Sequence, residues 1–406
     1  MLWPERNVRS RTPLLPVGER RKTAMTGSMT SYMPVRLFTG KDCIRNNAKE
    51  LLKYGTRALI VTGKKSARVS GALRDVTESL EENGISYILF DKITQNPLLT
   101  DCMEAGRLAA DEKCSFIIGI GGGSPLDAAK CAAVFAANPE MDREGLYSLI
   151  WPKKPLPIIA VGTTAGTGSE VTKVSVITTP EGRKKSFHHE DIFPAAAFGD
   201  PAYTMSLSPS FTASTGIDAL AHAAESYFSR LANDLSRSYA VEGIRLLLPA
   251  LNKTAEQMRR EGGSVSGESF LTYNERSDLY HGSVYAGLAI NVTSTCLPHT
   301  MGYLLTEQHQ IPHGFACAVF LPAFLEINRE TVPDLYEEFF PAIGTDPEEL
   351  DSLISALTSE VKLSITEDEI RREHSRWINN ASIKKGWGEI PPEFCDDLLR
   401  RIDSIY

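Results

Sequence analysis

Asp218 and His222 stand four residues apart in Gly216-Ile217-Asp218-Ala219-Leu220-Ala221-His222. On a helix, that spacing sets a carboxylate and an imidazole on one face. Two more imidazoles follow much later, in His299-Thr300-Met301-Gly302-Tyr303 and Pro312-His313-Gly314. A carboxylate and three imidazoles suit a divalent transition metal such as Fe2+ or Zn2+. Spacing alone leaves another reading open. Asp-x-x-x-His also serves as a surface or capping pair, and a histidine is often only a hydrogen-bonded side chain.

A second kind of chemistry is written in Gly121-Gly122-Gly123-Ser124, which follows the apolar run Ser115–Ile120 and precedes Pro125-Leu126-Asp127-Ala128-Ala129-Lys130. Glycines let a backbone approach an anion closely, and Pro125 fits the first turn of a helix. The helix N-terminus and the loop amides would then face a pyrophosphate. The pattern is neither G-x-G-x-x-G nor a Walker loop, so a plain strand-to-helix turn is the competing reading. A further loop, Gly162-Thr163-Thr164-Ala165-Gly166-Thr167-Gly168-Ser169-Glu170, offers hydroxyl donors and acceptors after the run Pro157–Val161.

These residues need elements to hold them. Arg57–Thr62, Ile85–Phe90, Ser115–Ile120, Pro157–Val161, Val174–Thr178 and Ala195–Phe198 read as short apolar strands. Val69–Glu82 and Thr100–Lys113 read as helices between them. Apolar strands alternating with helices predict βαβ units around a parallel sheet buried on both faces. Beyond Asp200-Pro201, the segments Phe211–Arg230, Leu235–Leu251 and Leu271–Ala289 carry helical spacing. The expected architecture is an α/β half over residues 34–205 and a mainly helical half over 206–406.

The chain has 406 residues, 42% of them hydrophobic and 23% charged, with a net charge of -8. That length favours two cores over one. No run of about 18 apolar residues predicts a membrane span, and the mild acidity gives no reason to expect nucleic acid. Seven scattered cysteines without a C-x-x-C pair predict a reduced, cytoplasmic protein. Residues 1–33 are rich in Arg and Pro. They read as a flexible leader, or as an artefact of where the chain starts.

The blocks Gly119–Lys130, Gly162–Glu170, Asp218–His222 and His299–His313 occur in an order that resembles the iron-containing, group III alcohol dehydrogenases, from about Val35 onward. The resemblance implies that the two halves are a dinucleotide-binding α/β domain and an all-helical, metal-binding domain, with an active site in the cleft between them. It implies Asp218, His222, His299 and His313 as ligands of Fe2+, or Zn2+, the last two being fourteen residues apart. It implies cofactor contacts from Gly121, Gly122, Gly123, Ser124, Asp127, Thr163, Thr164 and Thr167. Lys184, or its neighbour Lys185, is implied near the nicotinamide ribose. The activity implied is hydride transfer between a nicotinamide and a primary alcohol or aldehyde, by a homo-oligomer taken as a dimer.

One position departs from the family. Many members carry a relay histidine four residues after the third ligand, where this chain has Tyr303. A phenol with a reference pKa near 10 exchanges protons less readily at neutral pH. Tyr303, water, His309 or the ribose hydroxyl is then the relay. His309, His188 and His189 otherwise read as exposed loop residues. At the end of the first strand, Gly63-Lys64-Lys65-Ser66 lacks the Asp that some relatives carry. That predicts NADP(H) over NAD(H), with Gly63 and Lys64 near the 2′-phosphate. A glycerol or polyol dehydrogenase, a lyase resembling dehydroquinate synthase and a non-catalytic nucleotide-binding assembly protein remain alternatives.

Overall fold

The computed structural model describes residues 29–261 and 269–406. The leader expected over residues 1–33 therefore lies mostly outside the described residues. Its last part packs down: Tyr32 meets the Phe193 ring edge-on, and its carbonyl accepts from Asn291 Nδ2 at 2.9 Å.

Eight strands are present among the described residues: β1 (Arg36–Thr39), β2 (Arg57–Thr62), β3 (Ser86–Phe90), β4 (Phe116–Gly121), β5 (Ile158–Gly162), β6 (Val174–Thr178), β7 (Lys184–His188) and β8 (Ala196–Gly199). Six form one parallel sheet in the order β1-β8-β5-β4-β2-β3. Side-chain alternation splits each strand between two apolar layers. Leu59, Val61 and Ile117 face the helices Leu99–Asp111 and Gly123–Ala137, while Ala58, Ile60 and Ile118 face Ala72–Glu82. Burial on both faces is why the strands read as continuous apolar runs.

Two expectations change. Val174–Thr178 is not a sheet strand; it pairs antiparallel with β7 in a separate two-stranded ribbon. Its partner, Lys-Lys-Ser-Phe-His, is too polar to read as a buried strand. The helix expected over Val69–Glu82 is two helices, Ser66–Val69 and Ala72–Glu82, separated at Gly71, whose φ of 86° breaks the helical path.

After β8 the chain turns at Pro201–Thr204 and becomes helical, beginning with Pro209–Tyr227. Ser208 caps that helix by accepting from the Phe211 amide at 3.2 Å. The long helices Asp234–Glu261 and Tyr273–Thr293 pack beside it around one large apolar core. No helix among the described residues is long and apolar enough to cross a membrane.

Candidate active site and metal centre

Leaving β2, the chain moves one strand outward to β3, then returns past β2 to β4. The strand order therefore reverses between β2 and β4. In open α/β sheets a ligand crevice forms outside the carboxyl ends of the strands at such a point. Gly63 and Gly121–Ser124 both lie at those ends. The helix Gly123–Ala137 starts there and aims its N-terminus at the crevice.

The glycines are needed first by the protein itself. A Cβ on Gly121 would come within 2.5 Å of Pro125, one on Gly122 within 2.8 Å of Thr164, and one on Gly123 within 2.6 Å of Thr167. Their smallness lets the two loops pack together. Thr163 Oγ1 is buried there with no protein partner. Ser124 accepts from the Asn96 amide at 3.2 Å and so fixes the loop after β3.

Asp127 and Lys130 act as a clamp. Asp127 accepts from Ser169 Oγ at 2.7 Å and from the Val176 amide at 2.9 Å. Lys130 Nζ is fully buried and donates to the Ser169 and Val174 carbonyls, each at 2.8 Å. Burial pulls the Lys130 ammonium down to about 8, against the opposing field of Asp127. Asp127 is thus tied to this chain's own donors and holds the second loop against the glycine turn. Glu170, in the same loop, accepts from Tyr280 Oη at 3.0 Å and so joins the sheet to the helical half.

The expected metal ligands come together in that helical half. Asp218 and His222 lie one turn apart on Pro209–Tyr227, His299 lies in Leu297–Gln308, and His313 opens His313–Ala318. Asp218 Oδ1 is 3.4 Å from His299 Nε2. The His222 and His299 rings stack with centroids 4.3 Å apart, and His299 and His313 meet nearly edge-on at 5.4 Å. Asp218, His222 and His299 are 3%, 6% and 2% exposed. Asp218 Oδ1, His222 Nδ1 and His299 Nε2 have no hydrogen-bond partner. Buried polar atoms without partners cost free energy, and a cation bound among Asp218, His299 and His313 would satisfy the first and third, while His222 lies beside this group through its stacked ring.

The electrostatics fit a cation. Burial pushes the Asp218 carboxyl up, but the three imidazoles hold it well below the ordinary carboxylate range. Burial pulls His222 down to about 4 and His313 well below its usual value. His299 goes the other way: burial opposes its charge, and Cys317, Glu225 and Asp218 outweigh burial.

Two residues of this site were missed in the sequence. Glu225 is fully buried and its carboxylate makes a short contact with His299 Nδ1, while accepting from the His299 amide at 3.1 Å. It fixes the ring so that Nε2 faces Asp218, the usual role of a carboxylate behind a metal-binding imidazole. Cys317 follows His313 by four residues in the same short helix, and its sulfur enters the cluster. Both were legible as repeats of the Asp218–His222 spacing rule, at i+7 from Asp218 and i+4 from His313.

Residues 34–201 match the family described as iron-containing alcohol dehydrogenase, and residues 212–388 match the C-terminal region of the Fe-containing alcohol dehydrogenase family. The chain belongs to the iron-containing alcohol dehydrogenase family. It is 33% identical over 359 residues to long-chain-alcohol dehydrogenase 1 of Geobacillus thermodenitrificans, covering 86% of this chain and 84% of that protein. An iron-containing alcohol dehydrogenase from Thermotoga maritima superposes with a TM-score of 0.83 at 32% identity, over 93% of this chain and 100% of that one. A sulfoacetaldehyde reductase from Bifidobacterium kashiwanohense, solved with NAD+, superposes at 0.79 with 27% identity, over 93% and 100% of the two chains.

Within this alcohol dehydrogenase, Lys184 rather than Lys185 lies beside the ligand cluster. Lys184 is half-buried, and its Nζ lies 5.4 Å from the Tyr303 ring centroid. Lys185 points the other way along β7, onto the Tyr147 ring at 3.8 Å. His309 is a correction to the exposed-loop reading: it ends the helix Leu297–Gln308, with only 15% of its side chain exposed, 3.5 Å from Glu369. His188 is exposed at the end of β7, and His189 packs on Trp151 at 4.6 Å.

Tyr303 packs as a ring. It stacks on His313 at 5.5 Å and 8°, with Lys184 on it as well. Burial also pushes its phenol up, away from neutral pH. Tyr303→Phe keeps the ring and should hold turnover within about threefold, roughly 0.7 kcal/mol, with an unshifted pH–rate profile. A lowered plateau with a displaced limb would instead make the hydroxyl a proton carrier.

Proposed function

We propose that this enzyme interconverts primary alcohols and aldehydes by reversible hydride transfer with a nicotinamide nucleotide. The observation that carries the reading is the convergence of donor atoms from Asp218, His299 and His313, with Asp218 Oδ1 and His299 Nε2 buried and unpartnered and the His222 ring stacked on His299. These four side chains would hold iron, or zinc. A divalent metal there supplies Lewis-acid polarisation of the substrate oxygen, and the nicotinamide carries the hydride.

The chain's own residues do the positioning. Glu225 holds the His299 ring, and the Tyr303 ring braces His313. The clamped loops Gly121–Ser124 and Thr163–Thr167 present amides and hydroxyls toward the crevice, with the Thr163 hydroxyl free to bond a nucleotide. Lys184 supplies a cation between that crevice and the cluster. At the end of β2, Lys64 and Lys65 are exposed and without ion-pair partners among the described residues, which supports NADP(H) over NAD(H). The seven cysteines are free and buried, which supports a reduced, cytoplasmic setting. We take the assembly to be a dimer.

The test is an anaerobic assay after loading with Fe2+ or Zn2+, following oxidation of NADPH and NADH over a panel of aldehydes, and the reverse reaction with butanol and glycerol. Aldehyde reduction coupled to butanol oxidation is expected. A strong preference for glycerol would favour a polyol dehydrogenase. Nucleotide binding without turnover on any substrate would leave a non-catalytic binding protein.

A further inference from the structure

The sulfur of Cys317 lies inside the ligand cluster, held there from two sides. On its own helix it sits 3.7 Å from His313 Nδ1 and 3.8 Å from His313 Nε2. From the facing helix it fills the space left by Gly302, where a Cβ would come within 2.8 Å of Sγ. Gly302 is three residues beyond His299, so the sulfur reaches the His299 turn as well. One donor atom each from Asp218, His299, His313 and Cys317 lie within 4.8 Å of one another. Cys317 is 0% exposed.

The spacing suits shared coordination. Metal bonds of about 2.3 Å to sulfur and 2.0–2.1 Å to nitrogen or oxygen, at the roughly 90–110° angles of a five- or six-coordinate ion, set neighbouring ligands roughly 2.9–3.6 Å apart. The Asp218–His299 separation of 3.4 Å falls in this range, while the Cys317 sulfur, 3.7 and 3.8 Å from the two His313 nitrogens, must turn toward one of them to share an ion. The sulfur is not the only sign of a ligand. Asp218 Oδ1 and His299 Nε2 are buried and unpartnered in the same place, independently of Cys317.

We propose that Cys317 is an additional ligand of the resident metal, bound as a thiolate, and that it biases this centre toward zinc over iron. The proposal rests on the metal reading given above. Soft thiolate donors select zinc, whereas a set of imidazoles and one carboxylate accepts either ion. The thiol proton is released to solvent as the metal binds, because only the thiolate coordinates. His222, stacked on His299 outside the tight set of four donor atoms, remains a ligand of the same ion.

Cobalt(II) reports a sulfur ligand directly. Wild-type apoprotein loaded with Co2+ should show the visible d–d bands of bound cobalt together with a strong near-ultraviolet thiolate-to-cobalt charge-transfer band. Cys317→Ser should keep the d–d bands and lose the charge-transfer band, while Cys395→Ser should keep both. In chelator competition, Cys317→Ser should weaken Zn2+ by at least about tenfold more than Fe2+. Wild-type protein that binds cobalt with no charge-transfer band overturns the Cys317 assignment and leaves the histidine–aspartate centre standing. Wild-type protein that binds no cobalt, zinc or iron overturns that centre as well. The wild-type spectrum decides the matter even if the serine variant fails to fold.

Discussion

His299→Ala should strip the metal and lower turnover at least about a thousandfold, while nicotinamide-nucleotide binding survives. Polarising a substrate oxygen is worth several kcal/mol of barrier, and each 1.4 kcal/mol is a factor of ten. His299 is the centre of the cluster: it touches Asp218, stacks on His222, meets His313 edge-on and is backed by Glu225. Its loss leaves the Glu225 and Asp218 carboxylates facing each other without the group that separates them. Asp218→Ala, His222→Ala and His313→Ala should likewise lose metal. Glu225→Gln should be milder, because an amide oxygen can still accept from Nδ1. The ring then loses a charged partner, and metal affinity should fall by roughly ten- to a hundredfold. The proposed nucleotide crevice lies at the ends of β2, β4 and β5, in the other half, so cofactor affinity should change little. Metal analysis, fluorescence titration with the reduced cofactor and a thermal melt check the three parts. A folded His299→Ala protein with wild-type metal content and turnover would refute the ligand assignment. Protons compete with the metal for these nitrogens, so metal retention should also fall as the pH is lowered.

The inner strands of the central sheet, β2, β4, β5 and β8, were legible because they are buried on both faces, which leaves no polar alternation to confuse a short run such as Arg57–Thr62. β1 was not, because Arg36–Thr39 is a four-residue edge strand with exposed ends. Val174–Thr178 has strand composition, but composition carries no information about its partner, and the pairing with β7 depends on the turn between them. The histidine and aspartate positions could be named from spacing and family resemblance. Helical spacing puts Glu225 and Cys317 on the faces of named ligands, but it could not show that Glu225 meets His299 from another helix or that the Cys317 sulfur enters the cluster. Glu225 and His299 are 74 residues apart in the chain. Asp127 shows the reverse limit: its place in a conspicuous motif suggested the cofactor, while its oxygens bond Ser169 and Val176.

Gly63→Asp should weaken NADPH binding at least about tenfold and leave NADH nearly untouched. Gly63 ends β2 beside the β2–β4 reversal, where the adenosine ribose of a dinucleotide lies in folds of this type. Lys64 and Lys65 follow it, exposed and unpaired among the described residues, and Ser66 adds a hydroxyl. A carboxylate at 63 would face a 2′-phosphate a few ångströms away, with a repulsion of a few kcal/mol at a surface-like dielectric before salt screening. Tenfold corresponds to about 1.4 kcal/mol, so the expected loss leaves room for that screening. A ribose 2′-hydroxyl would accept the same carboxylate as a partner. The side chain also has a steric cost. A Cβ at 63 would lie 3.1 Å from the Ile93 carbonyl oxygen, so the loop after β3 must give by a few tenths of an ångström. Gly63→Ala isolates that cost, because it adds the Cβ without the charge. The measured quantity is therefore the NADPH-to-NADH ratio of kcat/KM in Gly63→Asp relative to Gly63→Ala, at low and high salt. It should fall at least about tenfold at low salt and recover partly at high salt. A wild-type enzyme that uses NADH at least as well as NADPH would sink the cofactor assignment. Equal losses in the two variants would show that Gly63 serves the backbone turn and not the choice of nucleotide.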